Sequence, residues 1–249
     1  MTTSSTRSPA GRRRSARQFI PPQHGAWAML IVPWLAGVLA AGFHWAHLPL
    51  LGAWLAGYLF SYYALQAVKT RRLARVRLQL WCYGPVAAAL GLLVVLARPQ
   101  VLAYAPAYAL LLAVNVGYAR QRRERALLND IASVAQSCLM VFVAATVAGA
   151  GPRETAPAFL AVLLYFTGTV LYVKTMIRER GNPAYHRASM IYHVLAVGAA
   201  AWLGVPAVIV FTLLLARAAV LPRYRLAPKQ VGIIEIVGSA LVLAVAVTA

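Results

Sequence analysis

Residues 171–194 read LYVKTMIRERGNPAYHRASMIYHV: an apolar run breaks into Lys174, Arg178, Glu179 and Arg180, then resumes beyond Gly181-Asn182-Pro183. Cations gathered between two apolar runs mark the cytosolic end of a membrane helix. Whether they only anchor that end or also line a site is the question that decides the rest. A near copy of the boundary lies upstream, with AVKTRR at 67–72 matching YVKTMI at 172–177, so that Lys69 and Lys174 stand 105 positions apart.

The 249-residue chain is 61% hydrophobic and 12% charged, which excludes an ordinary water-soluble domain. In hydrocarbon each segment must satisfy its own backbone, so the expected fold class is all-α, a polytopic membrane helical bundle. The net charge of +19 would suggest nucleic acid for a soluble protein. Here the cations sit in short clusters between apolar runs, so membrane lipids are the expected partners and nucleic acid is not. Cys82 and Cys138 both lie in apolar stretches and imply no disulfide framework.

Windows of about 20 apolar residues give about nine spans. They fall near 26–43, 48–68, 78–97, 101–118, 131–149, 156–173, 190–203, 205–220 and 231–248, the seventh and eighth expected as a tight helical hairpin joined by LGVP, with a single re-entrant element as the alternative. Spans one to four and five to eight begin at an offset of roughly 105 residues. Together with the repeated Val-Lys-Thr, this predicts two parallel four-helix repeats (26–120 and 131–225) and one extra span at 231–248. Residues 1–25 read as a basic cytosolic leader, expected to be disordered, without a convincing cleavage site. With the N-terminus in the cytosol, 22 of the 24 Lys and Arg residues fall on the inner side and only Arg98 and Arg153 on the outer. That asymmetry sets the expected orientation.

If a pseudo-twofold relates the halves, Lys69 and Lys174 sit on opposite walls of one cytosol-facing cavity. Tyr62, Gln66 and Lys69 share one helix face, and Lys174 and Arg178 share another. Ammonium and guanidinium groups in such a mouth suit phosphate or carboxylate. The expected ligand is an amphipathic anion, an isoprenoid or other lipid phosphate, held by Gln23, Gln66, Lys69, Lys174 and Arg178. Arg71, Arg72, Arg75, Arg77, Arg120, Arg122, Arg123 and Arg125 keep the plainer reading of topology and lipid contact. His24, in PPQHGAWAML, and His186 are the candidate general acid or base if chemistry occurs. The residues imply no particular reaction and no particular cofactor.

Other polar residues have simpler expectations. His186, Ser189 and His193 share a face, but no His-x-x-x-His or Cys-x-x-Cys spacing accompanies them, so no metal site is expected. Glu235 lies inside the last span, where a lone carboxylate is costly, and should face the bundle beside a cation such as Arg217. Asp130 fits an N-cap. The competing class is a transporter or a non-catalytic membrane partner of a larger complex; a transporter should carry more polar residues at mid-membrane.

The stretches PPQHGAWAMLIVPWLAG (21–37), VKTRR (68–72) and VKTMIRERGNPAYHRASMIYH (173–193) resemble the YwiC-like family of bacterial membrane proteins, Gln23 to Trp27 being the most specific part. The resemblance implies a multi-pass protein of the bacterial cytoplasmic membrane and carries no established activity. More distantly the chain is similar to the UbiA prenyltransferase superfamily. That likeness implies nine spans as two four-helix repeats plus one, with acid-rich motifs at the cytosolic ends of spans two and six that hold magnesium and a prenyl diphosphate. Lys69 and Lys174 stand where those aspartates would be, so direct contact with phosphate would replace the metal in binding.

Overall fold

The computed structural model describes residues 18–21 and 24–248, an all-α bundle with no strand among them. Nine helical rods follow the nine apolar runs: α1 (His24–Ala41), α2 (His47–Thr70), α3 (Arg77–Ala97), α4 (Pro99–Arg120), α5 (Leu127–Ala148), α6 (Pro152–Ile177), α7 (Pro183–Ala200), α8 (Val205–Val220) and α9 (Pro228–Thr248). All but α1 and α7 are long and apolar enough to cross a membrane.

Local chemistry sets the ends. Pro152 and Pro183 occupy first-turn positions, where a missing N–H costs nothing. The Asn182 side chain accepts the Ala184 N–H at 3.1 Å, capping α7. That cap starts the seventh rod at Pro183 instead of near 190, because its first two turns are helical although too polar to register as an apolar run. Gly149 (φ 93°) and Gly204 (φ 102°) take the left-handed side of backbone space in the links that follow α5 and α7. The α5 rod is interrupted at Leu139, just after the Ser137 hydroxyl donates to the Met29 carbonyl of α1.

The core is built around α6, which packs against α1, α5, α7 and α9. Ala161, Val162, Tyr165 and Phe166 of α6 are buried with Val134 and Val141 of α5, Phe211 of α8 and Val242 of α9. Gly37 lets α1 press on α5; a Cβ there would stand 2.8 Å from that of Ala144. Such close approach through small residues is how membrane helices gain packing without a hydrophobic drive between them. By contrast α3 lies at the edge, packing mainly on α2, with only Gln79 and Val94 of its residues buried.

At the end of the bundle where α5 finishes, two side chains bond its carbonyls and a third bonds its Thr146 hydroxyl. His47 Nε2 bonds Ala144 O at 2.7 Å, Arg98 Nε donates to Val147 O at 2.9 Å, and the Tyr104 and Thr146 hydroxyls meet at 2.8 Å. A helix end without partners would leave its final carbonyls bare in an apolar setting. His47 is wholly buried and accepts the His44 N–H on Nδ1 at 2.9 Å, which makes Nε2 the protonated nitrogen.

Candidate ligand site

Lys69 lies in the last turn of α2, and its ammonium meets Glu124 Oε1 at 2.8 Å. Beside it Gln66 Nε2 donates to the Tyr62 hydroxyl at 3.3 Å, and Thr70 Oγ1 donates to Gln66 O at 2.7 Å, so the shared face expected of α2 is present. Lys174 lies in the last turn of α6. Its ammonium meets Asp130 Oδ2 at 2.8 Å and donates to Arg125 O at 2.7 Å. Both lysines therefore reach one stretch, 124–130, which covers the end of the α4–α5 connection and the first turn of α5.

The two environments differ. Lys174 is 7% exposed, whereas the Lys69 side chain is 41% exposed. Lys69 lines an open pocket of about 350 Å³ together with Thr70, Arg72, Arg75 and Arg122. Among the described residues no carboxylate lines it. Burial pushes the Glu124 carboxyl up, but the hydrogen bond and charge of Lys69, with Arg125 nearby, outweigh this and hold it below its ordinary value.

Two arginines beside the pocket adopt a backbone that favours glycine, Arg71 and Arg122 both having φ 55°. Arg122 follows the end of α4, where Arg122 N bonds Ala119 O at 3.1 Å and Arg123 N bonds Tyr118 O at 2.9 Å. That pair of bonds is a Schellman closure, whose left-handed residue is usually glycine. Arginine here costs roughly 1 kcal/mol of backbone strain, and its side chain lines the basic pocket.

The remaining sequence candidates disperse. Arg178 caps the end of α6 through its backbone and is exposed. His186 stands in the first turn of α7 and lines a second pocket, between α6, α7 and the end of α8. Ser189 and His193 are buried away from it, His193 Nδ1 bonding Ser189 O at 2.7 Å and its ring facing Gly168 of α6. Gln23 and the His24 side chain lie outside the described residues. Asp130 is not an N-cap: α5 starts at Leu127 with Ala126 in that place, and the Asp130 carboxylate serves Lys174 instead.

The Glu235 expectation holds. Arg217 of α8 pairs with Glu235 of α9, whose Oε2 also accepts from Thr169 Oγ1 at 2.7 Å and Tyr165 OH at 3.2 Å. The Arg217 guanidinium lies 4.2 Å from the centre of the Tyr172 ring. Sequence reasoning missed Glu124 as a partner and left Arg72, Arg75 and Arg122 as topology residues. Their signal was the scarcity of acids: of five in the chain, Glu124, Asp130 and Glu235 each take a cation.

A family model described as YwiC-like protein matches residues 20–145. A Bacillus subtilis (strain 168) protein, uncharacterized protein YwiC, is 34% identical over 181 residues, 72% of this chain and 75% of its own length. A Haemophilus influenzae uncharacterized protein is 34% identical over 230 residues, 87% of this chain and 92% of its own. No solved structure matches. These matches support the YwiC-like family and not the UbiA likeness.

Proposed function

The chain belongs to the YwiC-like family, and from that premise we propose a multi-pass protein of the bacterial cytoplasmic membrane, N-terminus in the cytosol, that holds an amphipathic anion at its inner face. The observation that carries the reading is the pocket lined by Lys69, Arg72, Arg75 and Arg122 with no lining carboxylate among the described residues. Four cations brought to one concave surface repel each other unless an anion joins them. Guanidinium forks match phosphate oxygens in pairs, and the ammonium adds a point charge. The pocket lies where α2 ends, so an isoprenoid or lipid tail would run along the bare apolar sides of α2 and α3.

Lys174 serves this site indirectly. By fixing Asp130 and the Arg125 carbonyl it sets the connector that presents Arg122 to the pocket and Glu124 to Lys69. Glu124 occupies Lys69 until a stronger anion displaces it. The two parallel repeats remain part of the reading, supported by Lys69 and Lys174 closing rods two and six.

The test is native mass spectrometry of the full chain purified in mild detergent. Wild type is expected to retain an isoprenoid or lipid phosphate that Lys69→Ala and Arg122→Gln lose. Equal amounts of bulk phospholipid on all three, with no phosphate-rich species, would defeat the proposal.

A further inference from the structure

The second pocket is the counterpart of the first in position and its opposite in chemistry. Thr70 lines one and Thr175, 105 residues on, lines the other. The second measures about 270 Å³ and combines Glu179, His186 and Arg223 with Asn182 and Pro222. Where the first is uniformly cationic, this one carries both signs.

Each sign has its own place. Glu179 follows the carboxyl end of α6, and its Oε2 accepts the Asn182 Nδ2 at 2.9 Å, leaving Oε1 without a partner among the described residues. Negative side chain and helix carboxyl end together favour a cation. His186 sits in the first turn of α7, and its Nδ1 is sealed from solvent with no partner among the described residues. The exposed Arg223 guanidinium, in the turn Leu221–Arg223 after α8, forms no ion pair or hydrogen bond among the described residues. An imidazole and a guanidinium together favour an anion.

A plain anion would meet Glu179, and a plain cation would meet Arg223. One molecule carrying both charges a few bonds apart satisfies every group. We propose that this pocket binds a phosphate bearing a primary ammonium, the phosphoethanolamine chemistry of an aminophospholipid head group or of its free form. Phosphate takes Arg223 and His186, while the ammonium donates to Glu179. A cavity of about 270 Å³ has room for such a head group. A quaternary ammonium has no N–H to give Glu179, and a glycerol head group has no charge to give it, so both bind more weakly. This inference does not depend on the basic pocket.

The experiment titrates the full chain in detergent, by isothermal calorimetry, with dihexanoyl phosphatidylethanolamine, free phosphoethanolamine, and the dihexanoyl choline and glycerol analogues. Saturable binding of either ethanolamine compound, at least tenfold tighter than the choline and glycerol analogues, is expected. Binding of the free compound identifies a soluble source, and binding of the lipid alone a membrane source. Glu179→Gln should lose tenfold or more for the ethanolamine compounds and nothing for the glycerol analogue, whereas Arg223→Gln should weaken all of them. Lys69→Ala should leave these affinities unchanged, which separates this result from the fate of the anion site. If Glu179→Gln does not fold, Glu179→Asp, which keeps the charge and shortens its reach, replaces it. No saturable binding of either ethanolamine compound, or equal affinity for all head groups, overturns the proposal.

Discussion

Val68-Lys69-Thr70 and Val173-Lys174-Thr175 are the same three letters at the ends of two long helices, and the fold uses them differently. α6 runs through the core and carries Lys174 in with it, 7% exposed, where an ammonium must be matched. α2 lies at the flank, and Lys69 stays 41% exposed beside other cations. A buried charge is committed to its partner because removing that partner leaves it unsolvated. An exposed one exchanges partners at little cost. Sequence identity therefore marks the position, and burial decides the job.

The sharpest way to break this comparison is Lys174→Ala. It strands Asp130 and the Arg125 carbonyl and is expected to cost about 2–3 kcal/mol, read as a lowered unfolding midpoint in detergent. Lys69→Ala should cost under about 1 kcal/mol by the same measurement, yet weaken the anion held in the basic pocket about tenfold. A variant pair with equal stability losses would show that burial does not separate the two lysines.

A smaller effect sharpens the picture. Arg122→Gly relieves the left-handed backbone and is expected to raise stability by about 1 kcal/mol while lowering anion affinity a few-fold. Unchanged affinity would remove Arg122 from the pocket's work.

The smallest effect is in pH. Because the Glu124 carboxyl is held below its ordinary value when folded, its contribution is complete above the unfolded value and disappears as pH falls through the folded one. The stability difference between wild type and Glu124→Gln should be a few tenths of a kcal/mol near neutrality, discounted for exposure, and should close only at pH below the usual carboxylate range. A difference that persisted there would come from something other than charge.

Much of the architecture was legible because crossing hydrocarbon is a composition problem, and nine apolar runs became nine rods. The start of α7 was not, since Tyr185, His186 and Arg187 are polar and only the Asn182 cap reveals that they are helical. Arg217 with Glu235 was legible, because one carboxylate inside an apolar run demands a cation. The lysines' partners were hidden by the opposite circumstance. Glu124 and Asp130 lie among many cations at a water boundary, where hydropathy says nothing about who pairs with whom. The repeat pointed to both lysines, but not to the connector they share.

That shared connector also imposes an order on biosynthesis. Arg125 leaves the ribosome 49 residues ahead of the lysine that will hold its carbonyl. Until α6 has been made and inserted, the nascent chain carries Asp130 with its counter-charge still unmade. The first five rods thus stand with this join open, and the sixth closes it.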